Sequence, residues 1–144
     1  MTALATPDAQ QAIPREKVEI VRGIIDSLNA MRIDEALRCV AEGFEMDRSS
    51  SIGPLKGVYR GRGGAGTLWS LLLHLWTTVR WDLVEAIDID ESRVIVVNRV
   101  QMRGRGRYVD EVEAQLLTVR DGKVERIKSY RSRSEALEAA GLRE

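Results

Sequence analysis

Hydrophobic residues recur at helical spacing through most of the first half of the chain. Over residues 14–29 they fall three or four positions apart with charged residues between them, which predicts an amphipathic helix. A shorter helix is predicted over residues 33–40, and a long, deeply buried helix over residues 67–79. Residues 1–13 have no such pattern and are expected to form a disordered tail. The apolar positions behind these predictions are Val18, Val21, Ile25 and Leu28; Ile33, Ala36, Leu37 and Val40; and Leu68, Leu71, Leu72, Leu75, Trp76 and Val79.

The spacing of apolar residues then changes to two, the period of a strand. A short strand is already expected over residues 44–47, and a last helix over residues 134–140, capped by Ser134 and ended by Gly141. Helices followed by a run of strands indicate an α+β domain. A curved antiparallel sheet would wrap around the long helix and leave a pocket at its open end. The four strands of the run are predicted over residues 80–89, 93–103, 108–120 and 123–132.

Composition excludes several classes of protein but does not indicate an activity. The 144 residues fit one domain, with 44% hydrophobic and 31% charged residues. Basic and acidic residues both number 22, so a sequence-independent electrostatic grip on nucleic acid or anionic lipid is not expected. The sequence has no apolar stretch long enough to cross a bilayer and no signal-peptide pattern at its start, so we expect a cytoplasmic protein.

Several short motifs occur in a characteristic order. They are Ser27-Leu28-Asn29-Ala30, Phe44-Glu45-Met46-Asp47, Val58-Tyr59-Arg60-Gly61, Gly104-Arg105-Gly106, Asp121-Gly122-Lys123-Val124 and the tail Ser134-Glu135-Ala136-Leu137-Glu138-Ala139-Ala140-Gly141-Leu142. In this order they resemble the SnoaL-like (polyketide-cyclase-like) branch of the nuclear transport factor 2-like superfamily. The resemblance covers residues 15–142 and implies a single domain over residues 14–142. It also implies a cone-shaped antiparallel sheet around a long helix, the cystatin-like roll, and a homodimer formed by sheet-to-sheet pairing.

Two residues are candidates for acid–base catalysis. The steroid isomerases of this superfamily are similar to the chain around Asp47, and the resemblance places their proton-shuttling aspartate there. A carboxylate in an apolar pocket has a raised pKa, which suits the transfer of a proton next to a carbonyl. An aspartate before a loop is also a common turn residue. His74, the single histidine, is the second candidate, with a packed or partly exposed helix residue as the alternative.

Polar and aromatic residues are expected to line the pocket. Asn98 interrupts an apolar strand face, and Glu113 and Gln115 share a face with apolar residues on the next strand. Polar groups at a mouth with apolar groups deeper inside are what a small-molecule pocket needs. The same faces are equally compatible with contact to solvent or to a partner subunit. The expected lining residues are Tyr59, Trp69, Asn98, Glu113, Gln115 and Tyr130.

The available chemistry leaves two functional hypotheses. One histidine and one cysteine in separate helices do not make a metal site, and no nucleotide-binding glycine motif is present, so neither metal nor cofactor is expected. The first hypothesis is a protein that binds a small apolar molecule in the cone and acts on it by cofactor-free acid–base chemistry, with Asp47 as base. The alternative is a non-catalytic ligand-binding or dimeric interaction module. It is favoured because Ile24 and Gln115 stand where the resembling enzymes carry tyrosine and histidine.

Overall fold

The computed structural model describes residues 5–51 and 55–142, with side chains from Glu16 onward. In this part of the chain a six-stranded sheet is packed with four helices, as expected for an α+β fold. None of these helices is long and apolar enough to cross a membrane. The elements are α1 (Ala5–Asn29), α2 (Ile33–Leu37), β1 (Val40–Asp47), β2 (Val58–Arg60), α3 (Gly61–Leu75), β3 (Thr78–Asp88), β4 (Arg93–Gly104), β5 (Arg107–Arg120), β6 (Lys123–Tyr130) and α4 (Arg133–Ala139).

The sheet is antiparallel except at one pair of strands. Its order is β2-β1-β6-β5-β4-β3, so the last four strands form the predicted meander. Strands β1 and β6 run parallel, with Asp47 opposite Lys128. This parallel pairing brings the end of β1 beside the end of β6. It thereby sets where on the sheet the two cavities described below are found.

Helix boundaries differ from the sequence predictions at several places. Helix α2 ends at Leu37 and α3 at Leu75, because Val40 and Val79, which the spacing assigns to these helices, belong to strands β1 and β3. Residues 5–13, which the pattern assigns to a tail, belong to α1, while residues 1–4 of that expected tail lie outside the described residues. Helix α3 begins at Gly61, six residues before the predicted start. A Cβ atom on Gly64 would lie 3.0 Å from the backbone of Tyr59, so glycine allows this turn of α3 to pack directly against β2. The glycine run is therefore a close helix–strand contact and not a loop.

The last helix is capped two residues earlier than predicted. Ser132 has extended backbone, and its hydroxyl oxygen accepts a hydrogen bond from the N–H of Glu135 at 3.1 Å. The Glu135 carboxylate in turn accepts one from the N–H of Arg131 at 3.2 Å. Serine followed three residues later by glutamate is the sequence signature of this kind of cap, and it identifies Ser132 rather than Ser134.

Each face of the sheet packs against different helices. The concave face meets α1 and α3 in the main core, which includes Phe44, Leu68 and Val96. The convex face meets α4 in a second, smaller core built from Ile95, Leu116, Leu137 and their neighbours. Because successive residues of a strand point to opposite faces, the position of each polar residue within a strand decides which core it meets.

The part of the convex face beyond α4 is exposed. Val84 and Val112 are each 62% exposed there. The Arg99–Asp110 ion pair lies on the same stretch of β4 and β5. The homodimer expected from the family resemblance would use this surface, and it stays a prediction.

Two polar side chains fix α1 against the sheet. The Lys17 ammonium is 3% exposed and bonds the Asp88 carboxylate and the carbonyl oxygens of Asp90 and Arg93. At the other end of α1 the Asn29 amide donates to the carbonyl of Trp81 at 2.8 Å and accepts from its N–H at 2.9 Å. The amide thereby pairs with edge strand β3 as a neighbouring strand would.

We predict that Lys17→Met lowers the free energy of unfolding by about 2 kcal/mol, because it leaves the Asp88 carboxylate and two carbonyl groups without their cation. Urea unfolding followed by tryptophan fluorescence measures the change. Lys56→Met, at an exposed position, is the matched control and should change stability by less than about 0.5 kcal/mol. Equal effects of the two substitutions would contradict the role of Lys17.

Candidate functional site

A cavity lies between α1, α3 and the concave face of the sheet. We call it the inner cavity; its volume is about 50 Å³. A cavity of 150 Å³ accommodates benzene, so the inner cavity in this conformation holds a small alkyl group or a few water molecules. It is lined by Val21, Ile24, Ile25, Leu28, Met46, Arg48, Trp69, Leu72, Trp81, Asn98, Glu113, Gln115, Leu117 and Ile127.

Polar side chains from β4 and β5 enter this largely apolar wall. Asn98 is 3% exposed, and its Oδ1 atom accepts no hydrogen bond from the described residues. Gln115 is also buried and donates to the hydroxyl oxygen of Ser129 at 3.3 Å. Asn98 stands opposite Glu113 in the β4–β5 register, so the amide and the carboxyl group lie side by side on the concave face. A buried acceptor without a partner is costly, and a ligand donor would satisfy it.

Glu113 is the titratable group on the cavity wall. Removal of its carboxyl group from solvent raises its pKa; the Arg48 guanidinium opposes this shift and the Glu111 carboxylate adds to it. No described lysine, arginine or histidine lies within ion-pair distance of the carboxylate. Glu113 is thus held toward its neutral form, in which it can donate a proton.

Arg48 follows directly after β1 and has a fixed backbone. Its N–H donates to the carbonyl of Gly57 at 2.7 Å, and its own carbonyl accepts from the N–H of Ser51 at 3.0 Å. The Nε atom is buried and has no hydrogen-bond partner in the described part of the chain. The guanidinium acts on Glu113 electrostatically without forming an ion pair with it. An oxygen atom of a ligand placed near both groups would find a cation and a carboxylic acid.

A larger, open cavity adjoins the inner one. This outer cavity has a volume of about 500 Å³ and shares Arg48 and Glu113 with the inner cavity. Its wall is mainly polar, in contrast to the apolar wall of the cone. The other lining residues are Ser51, Glu111, Val112, Ser129, Tyr130 and Arg131.

Asp47, the base expected from sequence, faces away from both cavities. One carboxylate oxygen accepts hydrogen bonds from the hydroxyl and N–H of Ser49 at 2.6 and 2.9 Å. The other contacts Lys128 at 3.1 Å and Arg126 at 3.3 Å. Burial alone would raise the pKa of Asp47, but the bonds from Ser49 and Lys128 outweigh it and lower the pKa to about 2. This geometry favours a structural role for Asp47, because a carboxylate so strongly ionised is a poor base.

The remaining predicted site residues divide between the cavities and the surface. Trp69, Asn98, Glu113 and Gln115 line the inner cavity, and Tyr130 lines the outer one. Tyr59 lies outside both, with its hydroxyl donating to the carbonyl of Leu55 at 2.9 Å. His74 is exposed on α3 and lines neither cavity, so it is poorly placed for chemistry there.

Arg48 is the site residue that sequence reasoning missed, although the pattern contains a signal for it. Phe44 and Met46 are apolar and alternate with Glu45 and Asp47, so the buried face of β1 carries the even-numbered residues. Continuing that alternation by one step places Arg48 on the concave side and Asp47 on the convex side. The family resemblance pointed to the adjacent residue instead.

Within the described ranges, no group of three or more histidine, cysteine, aspartate or glutamate side chains is placed to hold a metal ion. No protein-family model matches the sequence, and comparison with curated proteins finds no match.

Solved structures of low sequence identity match the fold over most of the chain. TerC co-crystallised with polyporic acid has 19% identity and a TM-score of 0.72, covering 88% of this chain and 98% of that one. A putative SnoaL-like polyketide cyclase from Jannaschia sp. CCS1 has 18% identity and a TM-score of 0.68, with coverage of 83% and 87%. RV0760c from Mycobacterium tuberculosis, in complex with estradiol-17beta-hemisuccinate, has 9% identity and a TM-score of 0.72, with coverage of 82% and 95%.

These matches define the class of fold. The chain has the same fold as SnoaL-like and nuclear transport factor 2-like proteins, which confirms the fold expected from the sequence resemblance. At these identities the likeness shows the fold alone, and this fold carries many activities. What the protein does must therefore be argued from its own cavities.

We predict that Asp47→Asn lowers the free energy of unfolding by about 2 kcal/mol at pH 7. A carboxylate whose pKa is lowered on folding stabilises the folded state above its unfolded pKa of 3.8, and that contribution is lost as the pH falls toward about 2. The difference between the variant and the wild type should therefore shrink between pH 5 and pH 2. Denaturant unfolding at several pH values measures it, and a difference independent of pH would contradict the ion-pair account.

Proposed function

We propose that this protein binds a small organic molecule with its apolar end in the inner cavity and its polar end beside Glu113 and Arg48. At that end, Glu113 transfers a proton to or from the ligand without a cofactor. The observation that carries the proposal is a carboxyl group with raised pKa on the wall of an apolar cavity, with no cation in contact. A titratable group perturbed in this way inside a cleft is a candidate for acid–base chemistry.

The neighbouring groups suit chemistry at a carbonyl or hydroxyl oxygen. For a ketone, the Glu113 carboxylate would take a proton from the carbon next to the carbonyl and, once neutral, return it to that carbon. The Arg48 guanidinium would stabilise the negative charge that develops on the carbonyl oxygen in between. Asn98 supplies an unpartnered acceptor for a ligand hydroxyl or amine. This assigns the proton transfer to Glu113 in place of Asp47, the base expected from sequence.

Ligand binding in the cone is supported by the fold matches. TerC was crystallised with polyporic acid and RV0760c with estradiol-17beta-hemisuccinate, so proteins of this fold hold organic molecules. In the present chain the inner cavity is too small for a ring system in this conformation. Most of a ligand would therefore lie in the outer cavity, with only its apolar end inserted between α1 and the sheet.

The second candidate is a carrier without catalytic activity. The small volume of the inner cavity favours it, because little of a ligand can enter the cone. The structural bonds of Asp47 also favour it, because they leave Glu113 to supply any acid–base chemistry at the cavity walls. Both functions require binding at the same wall. Only the catalytic function requires the proton of Glu113.

Deuterium exchange distinguishes the two functions. Cyclic ketones and hydroxylated aromatic ketones that bind the protein are incubated with it in D₂O, and exchange of the hydrogens next to the carbonyl is followed by NMR. We expect Glu113→Gln to slow exchange by about 100-fold, because general acid–base catalysis contributes at least that much. Ligand affinity should change by less than about threefold, since glutamine keeps the size and hydrogen-bonding capacity of the side chain.

Asp47→Asn is the matched control, because Asp47 is a buried carboxylate that faces away from the cavities. It should leave exchange unchanged after correction for folded fraction. Loss of exchange in Asp47→Asn with full exchange in Glu113→Gln would restore the assignment made from sequence. Absence of exchange with ketones that bind tightly would favour the carrier.

A further inference from the structure

The outer cavity contains two arginine side chains without acidic partners. Among the described residues, neither Arg48 nor Arg131 has a carboxylate oxygen within 4.0 Å. Several other arginines of this chain do have one; examples are Arg99, Arg93 and Arg126. The unpaired guanidinium groups of the outer cavity are therefore free to bind a ligand.

Burial makes the lack of a partner costly at Arg48. Its Nε–H is inaccessible to solvent and has no acceptor in the described structure. A charged donor that is buried without an acceptor destabilises the folded state, and a ligand oxyanion would supply the missing acceptor. An anion bound beside Arg48 would therefore stabilise the folded protein.

Hydroxyl groups add neutral donors to the same wall. The Ser129 oxygen accepts the hydrogen bond from Gln115, which leaves the hydroxyl hydrogen available to a ligand. Ser51 also lines the outer cavity, one turn after Arg48. Guanidinium and hydroxyl donors converging on one cavity are typical of sites that bind carboxylate or phosphate oxygens.

The acidic residues of the cavity do not cancel this charge. Glu111 and Glu113 face the two arginines, but the environment that removes Glu113 from solvent favours its neutral form. Burial therefore weakens the charge with which Glu113 opposes the two guanidinium groups, and Glu111 is the other carboxylate on the cavity wall. Glu111 is exposed at the rim, where solvent screens its charge.

We propose that the outer cavity is an anion-recognition site, in which Arg48 and Arg131 bind the carboxylate of an organic acid whose apolar end enters the inner cavity. This deepens the proposed function and rests on it, because the acid is taken to be the molecule that the cone binds. The ligand class is then a small amphiphilic carboxylate, and not a neutral hydrocarbon or ketone alone. Selectivity for the acid over its neutral analogues comes from the outer cavity, and shape selectivity comes from the inner one.

Matched acid and amide pairs test the proposal. Butanoate, hexanoate, octanoate, phenylacetate and cinnamate are titrated against the protein by NMR beside their primary amides, at low and high salt. We expect each acid that binds to do so about tenfold more tightly than its amide, with the difference reduced by salt. The amides should still shift the side-chain resonances of Asn98 and Gln115, because they occupy the inner cavity.

Two substitutions at the rim should act in opposite directions. Arg131→Gln should weaken acid binding about fivefold, and Glu111→Gln should strengthen it by a similar factor, while both leave amide binding unchanged. Arg22→Gln, at an exposed position on α1, is the matched control and should change neither.

The outcomes separate this proposal from the one on which it rests. Amides that bind the inner cavity as tightly as the acids would overturn anion recognition and leave cone binding intact. Failure of acids and amides alike to bind would overturn both. Acid binding that is insensitive to Arg131→Gln and Glu111→Gln would place the anion elsewhere and overturn the assignment.

Discussion

The carboxyl group of Glu113 is removed from water without a cation in contact, and the candidate site depends on this feature. The concave face of the sheet is covered by α1 and α3, so any polar group on that face enters an apolar surrounding. Glu113, Asn98 and Gln115 are placed there by the alternation of β4 and β5. Burial favours the neutral form of the Glu113 carboxyl group. The buried Asn98 oxygen has no hydrogen-bond partner among the described residues. Both properties support the proposed ligand site.

Two carboxylates on neighbouring parts of the sheet illustrate how environment assigns roles. Asp47 lies on the convex side, where Ser49, Arg126 and Lys128 keep it ionised. Glu113 lies on the concave side, where removal from solvent favours its proton. The two acids differ little in intrinsic chemistry, so the opposite displacement of their pKa values comes from the side of the sheet on which each one points. The same face rule decides which of them can touch a bound molecule.

Much of the fold could be predicted from hydrophobic spacing. The α+β order, the four-strand meander and the end of α1 at Asn29 follow from apolar periods of about 3.6 and 2. The start of α3 could not be predicted in this way, because glycine is normally unfavourable in a helix and here serves the contact between Gly64 and Tyr59. The parallel β1–β6 pair also depends on tertiary structure, since no local pattern specifies which distant strands become neighbours.

Part of the candidate site could be predicted from polar residues that interrupt apolar strand faces. Asn98, Glu113 and Gln115 are polar interruptions in apolar strand faces, and such interruptions mark cavity walls when the face is buried. Family resemblance directed attention to Asp47, whereas the alternation of Phe44 and Met46 already turned that residue outward. The proximity of Arg48 and Arg131 depends on how β1 and β6 end beside each other, which sequence spacing does not reveal.

The raised pKa of Glu113 is tested most directly by titration of the side-chain carboxyl carbons, followed by ¹³C NMR. The Glu113 resonance is identified by its absence from the spectrum of Glu113→Gln. We expect Glu113 to titrate above the 4.5 usual for glutamate, and Asp47 in the same spectra to titrate at about 2. A Glu113 carboxyl that titrates at or below 4.5 would contradict this, because burial would then have failed to disfavour its charged form.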